Sequence, residues 1–292
     1  METLILLLVT GLGLGALYFL IASGLSLIYG LMGVLNFAHG SFLTFGGFAG
    51  MEIARRIGAE TWPQFILAII VGGAAGALFA SLTELLLIRP LYLRHIEQAL
   101  ITVGLSLASV ALMEGIWGAD PIYVSGPAIL SEVTEIAGAR IPNDRFLLIF
   151  GAVAILVGML AFLRYTRFGL IIRAGVENRS MVTALGIDVR TAFTLVFAIG
   201  GLAAGIGGVL ASQYFGYVSP HIGGTLLIFA FIVTIIGGLG SLVGAAIAAA
   251  IVGVLQQLAN FYLGGTGDLI VVILLAAVLL LRPTGLLGKR AH

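Results

Sequence analysis

Apolar residues run in long blocks along this chain, and charged residues gather at the joints between them. No Lys, Arg, Asp or Glu occurs between Arg190 and Asp268, a stretch several times the ~20 residues that cross a bilayer. It must therefore turn back and forth through hydrocarbon. The segment leading into it holds Arg164, Arg167, Arg173, Arg179 and Arg190. Placing each of these at a bilayer centre would cost about 2.5–3.5 kcal/mol, so residues 164–190 are expected to form a loop in water. The same pattern predicts apolar segments near 4–31, 37–54, 62–88, 98–116, 146–163, 191–214, 225–239, 243–263 and 268–281.

The last four segments form an even set, which puts the 164–190 loop on the same side as the tail with Arg282, Lys289 and Arg290. Both are basic, so that side is cytoplasmic by the positive-inside rule. Working backward places Arg89 and Arg94 inside and the stretch from Trp117 to Arg145 outside. Arg55 and Arg56 fall outside, against the rule, with Glu52 and Glu60 flanking them. The 37–54 segment is short and polar at its start, the mark of a broken or re-entrant helix, which is tolerated only where protein or a cavity covers it. Nine spans with the N-terminus outside, or eight with it inside, both satisfy the charges. The expected fold is all-α, a polytopic transmembrane helical bundle forming one domain over residues 1–292.

Composition adds exclusions. The chain is 60% hydrophobic and 9% charged, with a mean hydropathy of +1.18, far from the ~25% charge of a soluble domain. A net charge of +1 gives no field for nucleic acid. The absence of cysteine rules out disulfides, thiolate catalysis and cysteine-ligated zinc. The opening Met1-Glu2-Thr3 lacks a basic n-region, so the first apolar run is expected to be a retained helix and not a signal peptide. Glycine is abundant, which favours close helix packing. The Gly pairs four apart (11/15, 46/50, 72/76, 201/205 and 240/244) are no more frequent than composition alone would give, so no GxxxG dimer motif is read from them.

No HExxH, GxSxG or GxxxxGK[ST] motif is present. No catalytic residue, metal site or cofactor is therefore assigned, and any ATP would be hydrolysed by a different subunit. Asn36, His39, Ser41 and Thr44 cluster where the first apolar run turns into the second. Polar groups at such depth either line a route or cap a broken helix. Ser219-Pro220-His221-Ile222-Gly223-Gly224 interrupts the second half at a comparable place. This points to an internal repeat, with Pro220 and His221 as candidate lining residues beside the first four. Glu84, Glu114 and Asp268 lie near segment ends, where snorkelling or a neighbour such as Arg89 satisfies them. Gln256, Gln257 and Asn260 stand on successive turns of one segment and are expected to join helices. Within the basic loop, Arg173 to Leu185 reads as a short helix stopped at Gly186-Ile187. It would lie on the membrane surface, dock into another protein, or serve only as a solvated topological anchor.

In order along the chain stand Leu35 to Phe42 (LNFAHGSF), Arg89-Pro90-Leu91, Leu100 to Ser106 (LITVGLS), Gly118-Ala119-Asp120-Pro121, Arg173-Ala174 with Glu177-Asn178, Ala184 to Ile187 (ALGI), Gly237 to Gly244 (GGLGSLVG) and Leu281 to Lys289 (LRPTGLLGK). Through these motifs the chain resembles the LivH-type permeases of branched-chain amino acid ABC importers. The set runs the length of the chain and is specific as a whole. It implies a multi-pass permease of the bacterial inner membrane. Such a subunit pairs with a second homologous permease, receives solute from a periplasmic solute-binding protein and couples to two cytoplasmic ATPase subunits that use the ATP. The positions matching the family's coupling helix are Arg173, Ala174, Glu177, Asn178, Ala184, Gly186 and Ile187. Arg179-Ser180-Met181 departs from the more acidic or small residues of the family loop. Sister families carry urea or short amides, so the motifs define the transporter class more closely than its cargo. A passive channel would need a continuous polar lining, and an ion-coupled transporter a buried ionisable group, for which the candidate acids sit too near helix ends. Asn36-Phe37-Ala38 only half resembles the paired motif of water channels.

Overall fold

The computed structural model describes residues 1–92, 94–184, 186 and 189–288, without the side chains at 176–180, 183 and 189. Each of the nine apolar segments is a helix: α1 (Glu2–Met32), α2 (His39–Ile57), α3 (Trp62–Thr83), α4 (His95–Trp117), α6 (Asn143–Tyr165), α8 (Val189–Phe215), α9 (Ile222–Gly237), α10 (Leu242–Tyr262) and α11 (Gly267–Leu281). Two more helices lie in the loops, α5 (Ala128–Ser131) and α7 (Arg167–Ala184). Six of the described helices are long and apolar enough to cross a membrane, and α9 and α11 are shorter apolar ones. In hydrocarbon the backbone must bond to itself, which is why apolar runs this long become helices. The loop between α4 and α6 carries β1 (Ile122–Tyr123), the single turn of α5, and a hairpin of β2 (Val133–Ile136) and β3 (Ala139–Pro142). Ala137 and Gly138 turn that hairpin at positive φ (50° and 84°), as a two-residue type I′ loop requires. β1 pairs antiparallel with β4 (Tyr217–Val218), which ties this loop to the link between α8 and α9. Arg55 and Arg56 both reach Glu52, at 3.8 and 2.8 Å.

The halves repeat. Segment 33–38 links α1 to α2 and segment 216–221 links α8 to α9, each opening on a glycine at positive φ (Gly33 67°, Gly216 76°). Each also ends on a residue with helix-like dihedrals, Ala38 or His221. Segments 58–61 and 238–241 likewise open on Gly58 and Gly238, at 84° and 99°, and close on the caps Thr61 and Ser241. The two copies run in opposite directions, since along the α1–α8 contact Leu20 meets Gly207 while Gly24 meets Gly200. Packing is reciprocal, with α1 on α10, α3 on α8, and α2 meeting α9. The internal repeat expected from the two interruptions is thus an inverted one.

Small residues make these crossings possible. A Cβ on Gly15 would stand 2.4 Å from the Ala249 carbonyl oxygen, and one on Gly205 would stand 2.3 Å from that of Gly72. The pairs Gly11/Gly15, Gly72/Gly76 and Gly201/Gly205 therefore sit at helix contacts within this chain. Their frequency carries no signal because the meaning lies in which helix each pair faces.

Candidate functional site

The basic loop folds as α7, which begins before the helix expected at Arg173. Thr166 is the reason: its hydroxyl oxygen accepts the Gly169 amide at 2.9 Å, an N-cap that satisfies one of the free donors of the first turn. Gly169 lets α7 fold sharply back on α6, since a Cβ there would lie 2.3 Å from the Phe162 carbonyl oxygen. Gly169, Ile172, Gly175 and Val182 are buried and give the packed face, with Gly175 beside Leu31 of α1. Phe168, Leu170, Arg173, Ala174, Met181 and Ala184 are exposed. Gly186 stands at φ 77°, a backbone turn that suits the expected stop. Glu177 and Asn178 belong to α7, with side chains outside the described set. Ile187 lies outside the described residues, as do Lys289 and Arg290 of the tail. α7 thus carries one face fixed to the bundle and one mixed apolar and basic face turned outward.

The second group of expected residues meets where the first turns of α2 and α9 touch. Asn36, His39, Ser41 and Thr44 are all buried, Asn36 and His39 with no exposed surface. The Asn36 side-chain oxygen accepts the Ala38 amide at 3.0 Å, closing the turn into α2. His39 donates from Nε2 to the Ile21 carbonyl oxygen at 3.1 Å, a tautomer set by a partner that can only accept. Thr44 donates to the Gly40 carbonyl oxygen at 3.1 Å and accepts the Gly223 amide at 3.1 Å, joining the starts of α2 and α9 directly; α2 itself runs unbroken from His39 to Ile57, so the interruption expected within it falls before it, in segment 33–38. Asn36 Nδ2 and His39 Nδ1 have no partner. Pro220 is buried, whereas His221 is exposed and its Nε2 stands 3.0 Å from a carboxylate oxygen of Glu114. His221, Gly224, Thr225 and Ile228 are exposed along one face at the start of α9, Leu35 is exposed before α2, and Phe37 packs on Phe231.

A third constellation is invisible as a group in the sequence. Glu84 does not snorkel; its side chain is fully buried. Arg89 lies 3.3 Å from it, Thr194 donates to it at 2.7 Å, and the Tyr92 hydroxyl donates to its other oxygen. Burial, reinforced by Glu84, pushes the Tyr92 hydroxyl pKa up, so Tyr92 stays a donor. The other two acids also have partners: Glu114 has His221, and Asp268 accepts from Gln256 at 2.7 Å while Gln256 accepts from Tyr18. Asn260 accepts the Gly267 amide at 2.8 Å. Gln256 and Asn260 thus join helices as expected. Among the described residues no group of acids and histidines is placed to hold a metal ion.

An inverted pair of apolar half-bundles, with the starts of α2 and α9 meeting inside and a basic helix presented outward, is the build of a multi-pass membrane transport protein. Comparison with known proteins agrees. A family described as branched-chain amino acid transport system, permease component, matches residues 7–281, and the chain belongs to that family. It is 33% identical over 293 residues to the high-affinity branched-chain amino acid transport system permease protein LivH of Salmonella typhimurium, covering 96% of this chain and 94% of that one. It is 31% identical over 296 residues to the corresponding permease protein BraD of Pseudomonas aeruginosa, covering 97% and 95%. A more distant relative, the fructose import permease protein FruF of Bifidobacterium longum, is 28% identical over 86% of this chain and 69% of its own length. No solved structure matches.

Proposed function

We propose that this chain is the membrane-spanning half of an ATP-driven importer of branched-chain or related amino acids in a bacterial inner membrane. It works with a second homologous permease, two cytoplasmic ATPase subunits and a periplasmic solute-binding protein. The observation that carries the reading is α7, whose buried face is fixed on α1 and α6 while Phe168, Leu170, Arg173 and Ala184 face outward. A short helix held this way is a lever that a partner can seat in a groove. The full-length match to amino-acid permeases supports the cargo.

The route runs past the open surface at the α2–α9 junction, where Ile228, Thr225 and the paired rings of Phe37 and Phe231 offer an apolar wall with few polar points. Asn36, His39, Ser41, Thr44 and Pro220 shape that wall from behind, and His221 stands at its edge. The two unpartnered atoms, Asn36 Nδ2 and His39 Nδ1, carry a desolvation cost that a rearranged junction would relieve. ATP binding in the partner subunits draws the α7 helices together, and the rigid bundle converts that movement into alternating access.

The test is reconstitution with the partner subunits. Arg173→Glu and Ala184→Trp alter only the outward face of α7, and losing such a contact typically costs about 1–3 kcal/mol, or about five- to 150-fold in affinity. ATPase association and transport should fall together while membrane insertion stays normal. Unchanged association and transport in both variants would leave α7 as a topological anchor only.

A further inference from the structure

Glu84, Arg89, Tyr92 and Thr194 bring three pieces of the chain together. Glu84 opens a π-helical turn (Glu84–Ile88) that continues α3, and Arg89 opens the 3₁₀ turn (Arg89–Leu91) that ends it. In a regular α-helix, residues three and four apart share a face. The extra residue of the π turn brings position five into line, and this sets the Arg89 guanidinium against the Glu84 carboxylate. Thr194 comes from the start of α8, the helix that follows α7. Its hydroxyl donates to Glu84 Oε2 at 2.7 Å and accepts from Arg89 Nη2 at 2.8 Å. The Tyr92 ring packs edge-on against Phe193, with centroids 5.1 Å apart.

A static joint between α3 and α8 already exists further along, where Gly72 and Gly76 pack on Gly201 and Gly205. The polar cluster lies beyond that clamp, toward the start of α8, the end that follows α7 in the chain. Glycine packing fixes how near two helices lie. A carboxylate held from three directions fixes their register as well, because sliding α8 would strip partners from a buried charge. An apolar joint of similar size is often at least as stable, so stability alone gives little reason for a charge here.

We propose that Glu84, Arg89 and Thr194 are positioning residues of the transport cycle, forming the joint through which displacement of α7 and the start of α8 is passed to α3 and α4. This rests on the reading of α7 as the ATPase-coupling helix. When α8 moves, the end of α3 moves with it as one body, and α4 follows through the Arg89–Leu91 turn. Without the joint, the ATPases still engage and hydrolyse ATP but the stroke is partly lost.

The experiment uses the complete importer in proteoliposomes, with leucine as the transported probe, and measures ATPase association, binding-protein-stimulated ATP hydrolysis and leucine moved per ATP. In Thr194→Val, which keeps side-chain shape but removes the hydrogen bonds to Glu84 and Arg89 and the longer one to the Arg190 carbonyl oxygen, association should match the unmodified complex. Leucine per ATP should fall about two- to tenfold, the equivalent of about one hydrogen bond. Thr194→Ser should restore it, and Arg89→Lys, which keeps charge but loses the fork, should reproduce the defect. An unchanged ratio in Thr194→Val and Arg89→Lys, whatever their yield, would overturn the proposal and leave a structural staple. Failure of the unmodified chain to bind the ATPases would instead overturn the reading of α7, and this inference with it.

Discussion

Gly223→Ala should be among the most damaging single-methyl additions in this protein. A Cβ at that position would stand 2.0 Å from the Gly40 carbonyl oxygen and 2.2 Å from the Thr44 hydroxyl. Ordinary contact begins near 3.4 Å, so α2 and α9 would have to part by more than an ångström where both are rigid backbone. Overpacking of this kind costs about 1–3 kcal/mol. The separation also pulls the Gly223 amide from Thr44, adding about 0.5–1.5 kcal/mol. A total of about 1.5–4.5 kcal/mol corresponds to a Tm lower by about 3–18 °C for a chain of this size, read by thermal unfolding of the detergent-solubilised subunit. Gly158→Ala is the control, because no atom lies within 4 Å of a Cβ there. It should be neutral or raise stability by about 0.4–1 kcal/mol, as a helical glycine replaced without strain does. If Gly223→Ala melts with Gly158→Ala and the unmodified protein, the contact between α2 and α9 is not the tight junction described above.

Single cysteines in this cysteine-free chain should report opposite sides of the membrane. In intact cells an impermeant thiol reagent should label Pro127→Cys and spare Glu177→Cys, and labelling of residue 177 from outside would reverse the topology. Asn36→Leu removes the acceptor that closes the turn into α2, so it should lower stability by about 1 kcal/mol and reduce transport while the subunits still assemble. Normal stability together with normal transport would remove Asn36 from both roles.

The helices are legible because lipid leaves the backbone no alternative, and a run such as 191–214 can be satisfied only by coiling on itself. The two breaks are legible for the opposite reason, since Pro220 and the polar residues from Asn36 to Thr44 have no place in an uninterrupted span. Contacts made by unremarkable residues are not. Thr194 is one threonine in a long uncharged run, and nothing in its neighbours marks it as the partner of Glu84. Seeing Thr166 as a cap requires the turn between α6 and α7, so a start for α7 at Arg173 falls too late. The hairpin turned by Ala137 and Gly138 lies in a stretch that charge identifies only as exterior. Glycine pairs can be counted but not aimed, because spacing along a helix does not say what the helix meets.

Loops 33–38 and 216–221 have the same length and the same glycine hinge, yet the halves they serve point in opposite directions. One chain therefore carries the same helix–hinge–helix motif twice, the second copy upended against the first. In the proposed transport cycle, exchanging the postures of the two halves would turn a molecule open to one compartment into its upended counterpart, open to the other. The more closely the two halves match, the nearer in energy two states related in this way lie. Moving a population from 1:99 to 99:1 between states takes only about 5.5 kcal/mol of differential binding, so the work of a transport cycle can go into timing the switch and not into forcing it.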